Sequence, residues 1–200
     1  MLAACSDLPA PFLYRIITMG EAIDDASMVD DEGVTYTFTD NPAWKAGTRV
    51  LAMIDVQSET DDTHCKATLV SYVTPLHKKP VVITGPEIPD TLGTDDIAFI
   101  NGWYSGGHLN MQNRIKMVEG SGMHAINLMA DKRRDTADTL YLTLKHRSDY
   151  TPGENEFLSD HDFYTTFPID DLLSKEDSTV LCISWHWKDS LYTQCAKVKP

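Results

Sequence analysis

Apolar and polar residues alternate with a period of two along most of this chain, the period of β-strands, whose side chains point to opposite faces in turn. In "VTYTFTD", Val34, Tyr36 and Phe38 fall on one face and Thr35, Thr37 and Thr39 on the other. The run "RVLAMIDV" is more continuously apolar, with Val50, Ala52, Ile54 and Val56 on one side, and predicts a central strand. "CKATLVSYV" sets Ala67, Leu69 and Val73 against Val70 and Tyr72. Ahead of these, "FLYRIITMGEAI" supplies a first strand with a break or bulge expected at Gly20. Together the four predict a small, strongly bent sheet.

Between Val82 and Asp96 the alternation stops, and Gly85, Pro86, Pro89 and Gly93 punctuate a polar stretch without periodicity. This places a domain boundary, with an N-terminal domain over 12–85 and a C-terminal domain over 86–200. Beyond it the alternation resumes in "IAFINGWY", "HLNMQNRIKM", "MHAINLMA", "TLYLTLKH", "DFYTTFPI", "TVLCISWHW" and "LYTQCAKV". Short strands separated by turns such as Gly106-Gly107, Pro152-Gly153 and Lys188-Asp189 predict a β-sandwich. "IDDLLSKEDS" allows one helical turn, and no stretch approaches the roughly 20 apolar residues of a transmembrane helix.

The order of these motifs resembles the NigD-like family of lipoproteins from Gram-negative anaerobes, named for a protein encoded beside the bacteriocin nigrescin and proposed to give immunity to it. In the first half the resemblance rests on "AWKAGTRVLAMIDV", with Lys45, Gly47, Arg49 and Val50, and on "VSYVTPLHKKPV". In the second half it rests on "INGWYSGGHLNMQNRI", on "HAINLM" (His124 to Met129) and on "LYLTLKHRSD". It covers nearly all of the chain from about Tyr14 onward. The resemblance implies an all-β chain, a small N-terminal OB-like barrel followed by a C-terminal immunoglobulin-like β-sandwich, on a lipid-anchored stem. The strand pattern agrees with both domains without selecting an OB barrel over another small barrel, and "VVITG" is the best candidate for the fifth barrel strand. No catalytic residues come with the family.

The formal net charge of −13 narrows the partners. Nucleic-acid binding relies on lysine and arginine to displace counterions, and an acidic chain without a basic stripe argues against it. The largest basic cluster, Lys132-Arg133-Arg134, is bracketed by Asp131 and Asp135 and reads as a solvated turn. The opening residues Leu2-Ala3-Ala4-Cys5 fit the box that precedes a lipid-modified cysteine, although only four residues stand ahead of Cys5 and the family's apolar leader is missing. Cys5 is therefore the expected lipidation site, residues 1–11 the lipobox and an extended, proline-containing tether, and the membrane a partner through that lipid. The expected location is the cell envelope, periplasmic or surface-exposed. The competing reading is an ordinary cysteine in a tail.

An exported protein can hold disulfides. A two-residue turn at Lys188-Asp189 would place Cys182 opposite Cys195 at a pair where side chains approach closely. The register is compatible with a bridge and equally with two free thiols.

Motifs for catalysis do not emerge: there is no HExxH, paired CxxC, GxSxG elbow or phosphate-binding GxxxxGK[ST]. "DDTHC" (Asp61 to Cys65) and "SDHDF" (Ser159 to Phe163) hold metal-ligating residue types, but neighbours on extended backbone point to different sides, so no metal and no cofactor is expected. His146 continues the face of Leu140, Leu142 and Leu144 and reads as the cap of a core strand, and His124 reads as structural. Trp185 and Trp187 share a face with Leu181 and Ile183, leaving His186 on the exposed side. Trp103 and Trp187 carry two readings, core packing or an aromatic contact for a glycan or peptide. The expectation is a non-enzymatic envelope protein that binds a protein or glycan partner, with bacteriocin immunity as its specific form; the alternatives are a carbohydrate-binding accessory lipoprotein and, behind it, an envelope hydrolase.

Overall fold

A computed structural model of the chain describes residues 12–118, 120, 122–136, 138–153, 156–173 and 178–199, so the Cys5 leader lies outside the described residues. The chain is all-β and divides between Pro75 and Leu76 into two compact units.

In the first unit β1 (Tyr14–Ala22), β2 (Ser27–Asp30), β3 (Thr35–Phe38), β4 (Arg49–Asp61) and β5 (His64–Val73) close a barrel in the order β1-β2-β3-β5-β4, the strand order of an OB fold. The apolar face read in "RVLAMIDV" is its axis: Val50, Ala52, Ile54 and Val56 are 0% exposed and pack with Met28, Tyr36 and Phe38. Trp44 meets the Phe38 ring edge-on at 5.1 Å between centroids, a favourable aromatic arrangement. The long β4 pairs with β1 on one side and β5 on the other, and three register shifts along β4–β5 supply the bend that closure requires. The shift at Met53/Ile54 also turns Val73 outward, where simple alternation with Ala67 placed it inside.

Two further expectations are corrected here. Gly20 neither breaks nor bulges β1; it pairs with both Asp30 and Val50, and a Cβ there would stand 2.3 Å from the Val29 carbonyl oxygen. Glycine permits that close approach. The fifth barrel strand is "SMVD", not "VVITG": it is only 4 residues long and lies between acidic turns, so it carries no periodicity of its own. Asp30 then fixes it. Its carboxylate accepts the N–H groups of Glu32 and Val34 and the hydroxyls of Thr18 and Tyr36.

The second unit contains β6 (Leu76–His77), β7 (Val81–Ile83), β8 (Ala98–Ser105), β9 (His108–Met117), β10 (His124–Asp131), β11 (Thr139–Ser148), β12 (Ser159–Pro168), β13 (Thr179–Trp187) and β14 (Ser190–Val198). They form a sheet in the order β14-β13-β11-β10-β7 and another in the order β6-β12-β9-β8. The seven predicted strands are all present, from β8 to β14. Leu140, Leu142, Leu144, Leu181 and Ile183 of one sheet pack in a common core with Leu109, Met111, Ile115 and Phe167 of the other. The unit begins earlier than the 85/86 boundary read from the sequence, because Val81–Ile83 pairs in parallel with β10 and Ile83 packs with Leu92 and Met129. The helical turn of "IDDLLSKEDS" is a short 3-10 turn at Asp170–Leu172, and residues 174–177 lie outside the described residues. Among the described residues no helix is long and apolar enough to cross a membrane.

Candidate functional site

The sandwich core ends in a pair of histidines. His146 follows Leu140, Leu142 and Leu144 on the inner face of β11 and is 3% exposed. His124 opens β10 on the same face, one diagonal step away, since Ile126 is opposite His146 and His124 opposite Ser148. Their near-parallel rings, 19° apart, join through His124 Nδ1 and His146 Nε2 at 2.9 Å. On its other side His146 Nδ1 lies 2.9 Å from the carbonyl oxygen of Asp96. A carbonyl only accepts, so His146 carries its proton on Nδ1 and leaves Nε2 as an acceptor; His124 then donates from Nδ1. That places a lone pair on His124 Nε2, a buried atom without a hydrogen-bond partner among the described residues. Burial pushes the His146 imidazole toward lower pKa, and the neighbouring His124 adds to the same direction.

The strap that supplies Asp96 crosses this end of the sandwich. The Asp95 N–H donates to the His146 carbonyl, the Asp95 carboxylate accepts the Ser148 N–H at 2.6 Å, and the Ile97 N–H donates to the His186 carbonyl. The Asp96 carboxylate accepts the Lys188 N–H at 2.9 Å, so it braces the turn that follows Trp187. Gly93, at φ 80°, admits the strap: a Cβ there would stand 2.3 Å from the His146 carbonyl oxygen. Beside the histidines opens a cavity of about 300 Å³, lined among others by Asp95, Asp96, Lys116, Tyr150 and Leu158.

The serine and tyrosine of the cleft are committed to holding the fold. The Ser148 hydroxyl donates to the Tyr150 carbonyl and accepts the Tyr150 N–H, and the Tyr150 hydroxyl donates to the Glu156 carboxylate, a bond that pushes the tyrosine's pKa up and the glutamate's down. A serine spent in this way is not poised against the His124 lone pair, so the arrangement suits recognition of a hydrogen-bond donor better than nucleophilic attack.

Other candidate positions are dispersed. In "DDTHC" the Cys65 side chain turns into the barrel core, while the exposed Asp61 carboxylate accepts from His64 and Thr63, which hold its pKa down to about 2. In "SDHDF" Asp162 and Asp160 are both engaged by Arg114. Among the described residues no group of three or more His, Cys, Asp or Glu side chains is placed to hold a metal ion. In the basic turn Arg133 pairs with Asp131, Lys132 with Asp135, and Arg134 lies over the Tyr141 ring. Trp103 is half-buried and lines a slot of about 60 Å³ with Phe99, Ile183 and Ala196. Trp187, also half-buried, stands at the end of β13, whereas Trp185 packs on the core and stacks on Tyr192. Cys182 and Cys195 are register partners, 4.1 Å apart at Cα, and form a disulfide. Asp95 and Asp96, which organise the histidine cleft, lie in the aperiodic stretch; adjacent acids there carry no signal that separates a brace from a solvated turn.

An OB-type barrel and a two-sheet sandwich on one chain define a two-domain all-β class. Residues 79–195 match the NigD-like C-terminal beta sandwich domain, and the chain belongs to the NigD-like family. Similar solved structures include a protein of unknown function from Bacteroides vulgatus, with a TM-score of 0.74 at 15% identity, covering 94% of this chain and 91% of that one. A NigD-like immunity protein from Bacteroides caccae has a TM-score of 0.65 at 18% identity, covering 96% of this chain and 100% of that one. At these identities the likeness is one of fold. No curated protein matches the chain.

Proposed function

We propose that this chain is a non-enzymatic, lipid-anchored binding protein of the cell envelope, facing the periplasm or the cell exterior, with immunity to a bacteriocin as its specific role. Family membership across 79–195 carries the reading. The immunity role comes from the name of the Bacteroides caccae relative, an association rather than a site argument. The Leu2-Ala3-Ala4-Cys5 box supports the anchor, and the Cys182–Cys195 disulfide supports an oxidising compartment. A binding role accords with a cleft whose serine, tyrosine and aspartates are taken up by structural hydrogen bonds.

Intact-mass measurement of protein purified from its native membrane tests the anchor: a mature chain beginning at acylated Cys5 is expected, and an unmodified chain retaining Met1 would return the protein to the cytoplasm. Expression in a bacteriocin-sensitive strain tests the role. Protection is the expected result, and unchanged killing removes immunity while leaving partner binding in place.

A further inference from the structure

The edges of the sheets are not treated alike. A free strand edge is a template for another chain, and folded proteins shorten, bulge or cover it. The first unit has closed its sheet into a barrel. In the sandwich, β6 and β7 are edges of 2 and 3 residues. At β8 a register shift between Phe99 and Asn101 interrupts the strand, and the Asn101 side chain accepts the Gly102 N–H. β14 has none of these devices: it runs 9 residues as the outermost strand of its sheet, and Ser190 through Lys197 are all exposed.

Which backbone groups of β14 point outward follows from two independent features. In a two-residue hairpin the flanking pair, here Trp187 and Ser190, exchanges hydrogen bonds, and bonded pairs then alternate along the ladder. Counting from that pair makes Cys182 and Cys195 a non-bonded pair. Their 4.1 Å Cα separation agrees, since non-bonded pairs are the close ones. The N–H and C=O groups of Leu191, Thr193, Cys195 and Lys197 therefore face away from β13.

We propose that β14 is a self-association edge, on which a second copy of this chain adds its own β14 antiparallel about a two-fold axis at Gln194. That register pairs the strand over its whole length. Leu191 exchanges backbone bonds with the partner's Lys197, and Thr193 with the partner's Cys195, so each outward-facing group is met. At the close, non-bonded pairs Tyr192 meets the partner's Ala196, which lays an aromatic ring against a methyl group. No like charges oppose one another. Just beyond the strand ends, exposed Asp189 comes opposite exposed Lys199 of the partner, and the symmetry repeats the pair. Shifting the axis to Thr193 shortens the overlap and loses the outermost bonded pair. Charge complementarity and the unblunted ladder thus select a second copy in one register.

Sedimentation velocity on the 200-residue chain across a wide concentration range is the test. A reversible monomer–dimer equilibrium is expected. Thr193→Pro removes an N–H that the monomer does not use, and proline is tolerated on a strand edge at such a position, so the variant folds and sediments as a monomer. Should that variant fail to fold, charge exchange keeps the question open to measurement. Asp189→Lys or Lys199→Asp alone weakens the dimer by about tenfold, because two surface pairs become repulsive, and the double exchange restores it. A chain that stays monomeric at every concentration overturns the proposal, as does a dimer indifferent to both the proline and the charge changes.

Discussion

The fold opposes the protonation of His146. Its ring is desolvated, its Nε2 receives a hydrogen bond from His124, and a further proton has no acceptor waiting for it. In the unfolded chain the imidazole takes up a proton near its ordinary value of 6.5, whereas in the folded chain it does so at lower pH. Between those two values the unfolded state binds more protons, so stability falls as pH falls below 6.5. Urea unfolding midpoints followed downward from neutral pH should show that slope, and His146→Gln should flatten it; an unchanged slope in the variant would remove His146 as its source. A second buried polar feature, Asn113, obeys a different balance. Its Nδ2 donates to Thr165 Oγ1 at 2.9 Å, while its Oδ1 has no partner among the described residues. Thr165→Val strands the amide donor and should cost about 1–3 kcal/mol, whereas Asn113→Leu together with Thr165→Val should recover most of that loss, because removing both partners leaves nothing unsatisfied. A double-mutant cycle by chemical denaturation measures the coupling.

At the scale of elements, legibility followed periodicity. β8 to β14 and the β4 core face could be read because each is long enough for alternation to declare itself. β2, at 4 residues between acidic turns, carries no alternation, and β7, at 3, reads as a strand within "VVITG" without showing which sheet it joins. The Trp187–Ser190 turn shows a different limit: Lys188 and Asp189 both take positive φ, 50° and 60°, the backbone of a tight hairpin without the Asn-Gly signature that announces it. Strand parity nonetheless put Cys182 opposite Cys195. That disulfide matters most to β14, which hydrogen-bonds in its own sheet to β13 alone. Replacing both cysteines by alanine should cost about 2–3 kcal/mol, the scale for closing a loop of this length. Hydrogen exchange should quicken at Tyr192, Gln194 and Ala196, whose amides face β13, while β11 keeps its protection. Equal exchange in both strands would show that packing, rather than the bridge, holds the edge.

At the scale of the whole molecule, the candidate site was legible only in parts. His124 and His146 could each be placed on a core face, but their meeting depends on β10 and β11 being neighbours, and the Asp95–Asp96 brace depends on a strap that crosses the end of the sandwich. Neither relation is periodic, so neither is written in local alternation. The boundary between the two units has the same character. Sequence punctuation favours 85/86, yet β7 lies before it and pairs with β10, and Lys78 donates to the Ile126 carbonyl and to Asn127. A chain comprising 76–200 retains these contacts and should melt cooperatively, with the near-ultraviolet signal of packed tryptophans. One comprising 86–200 loses β6 and β7, exposes Met129 and leaves the outer backbone groups of β10 unpaired, so its melting point should fall by several degrees or its transition should broaden. If both fragments melt alike, residues 76–85 are a linker lying on the sandwich, and the punctuation, not the pairing, marks where the folded unit begins.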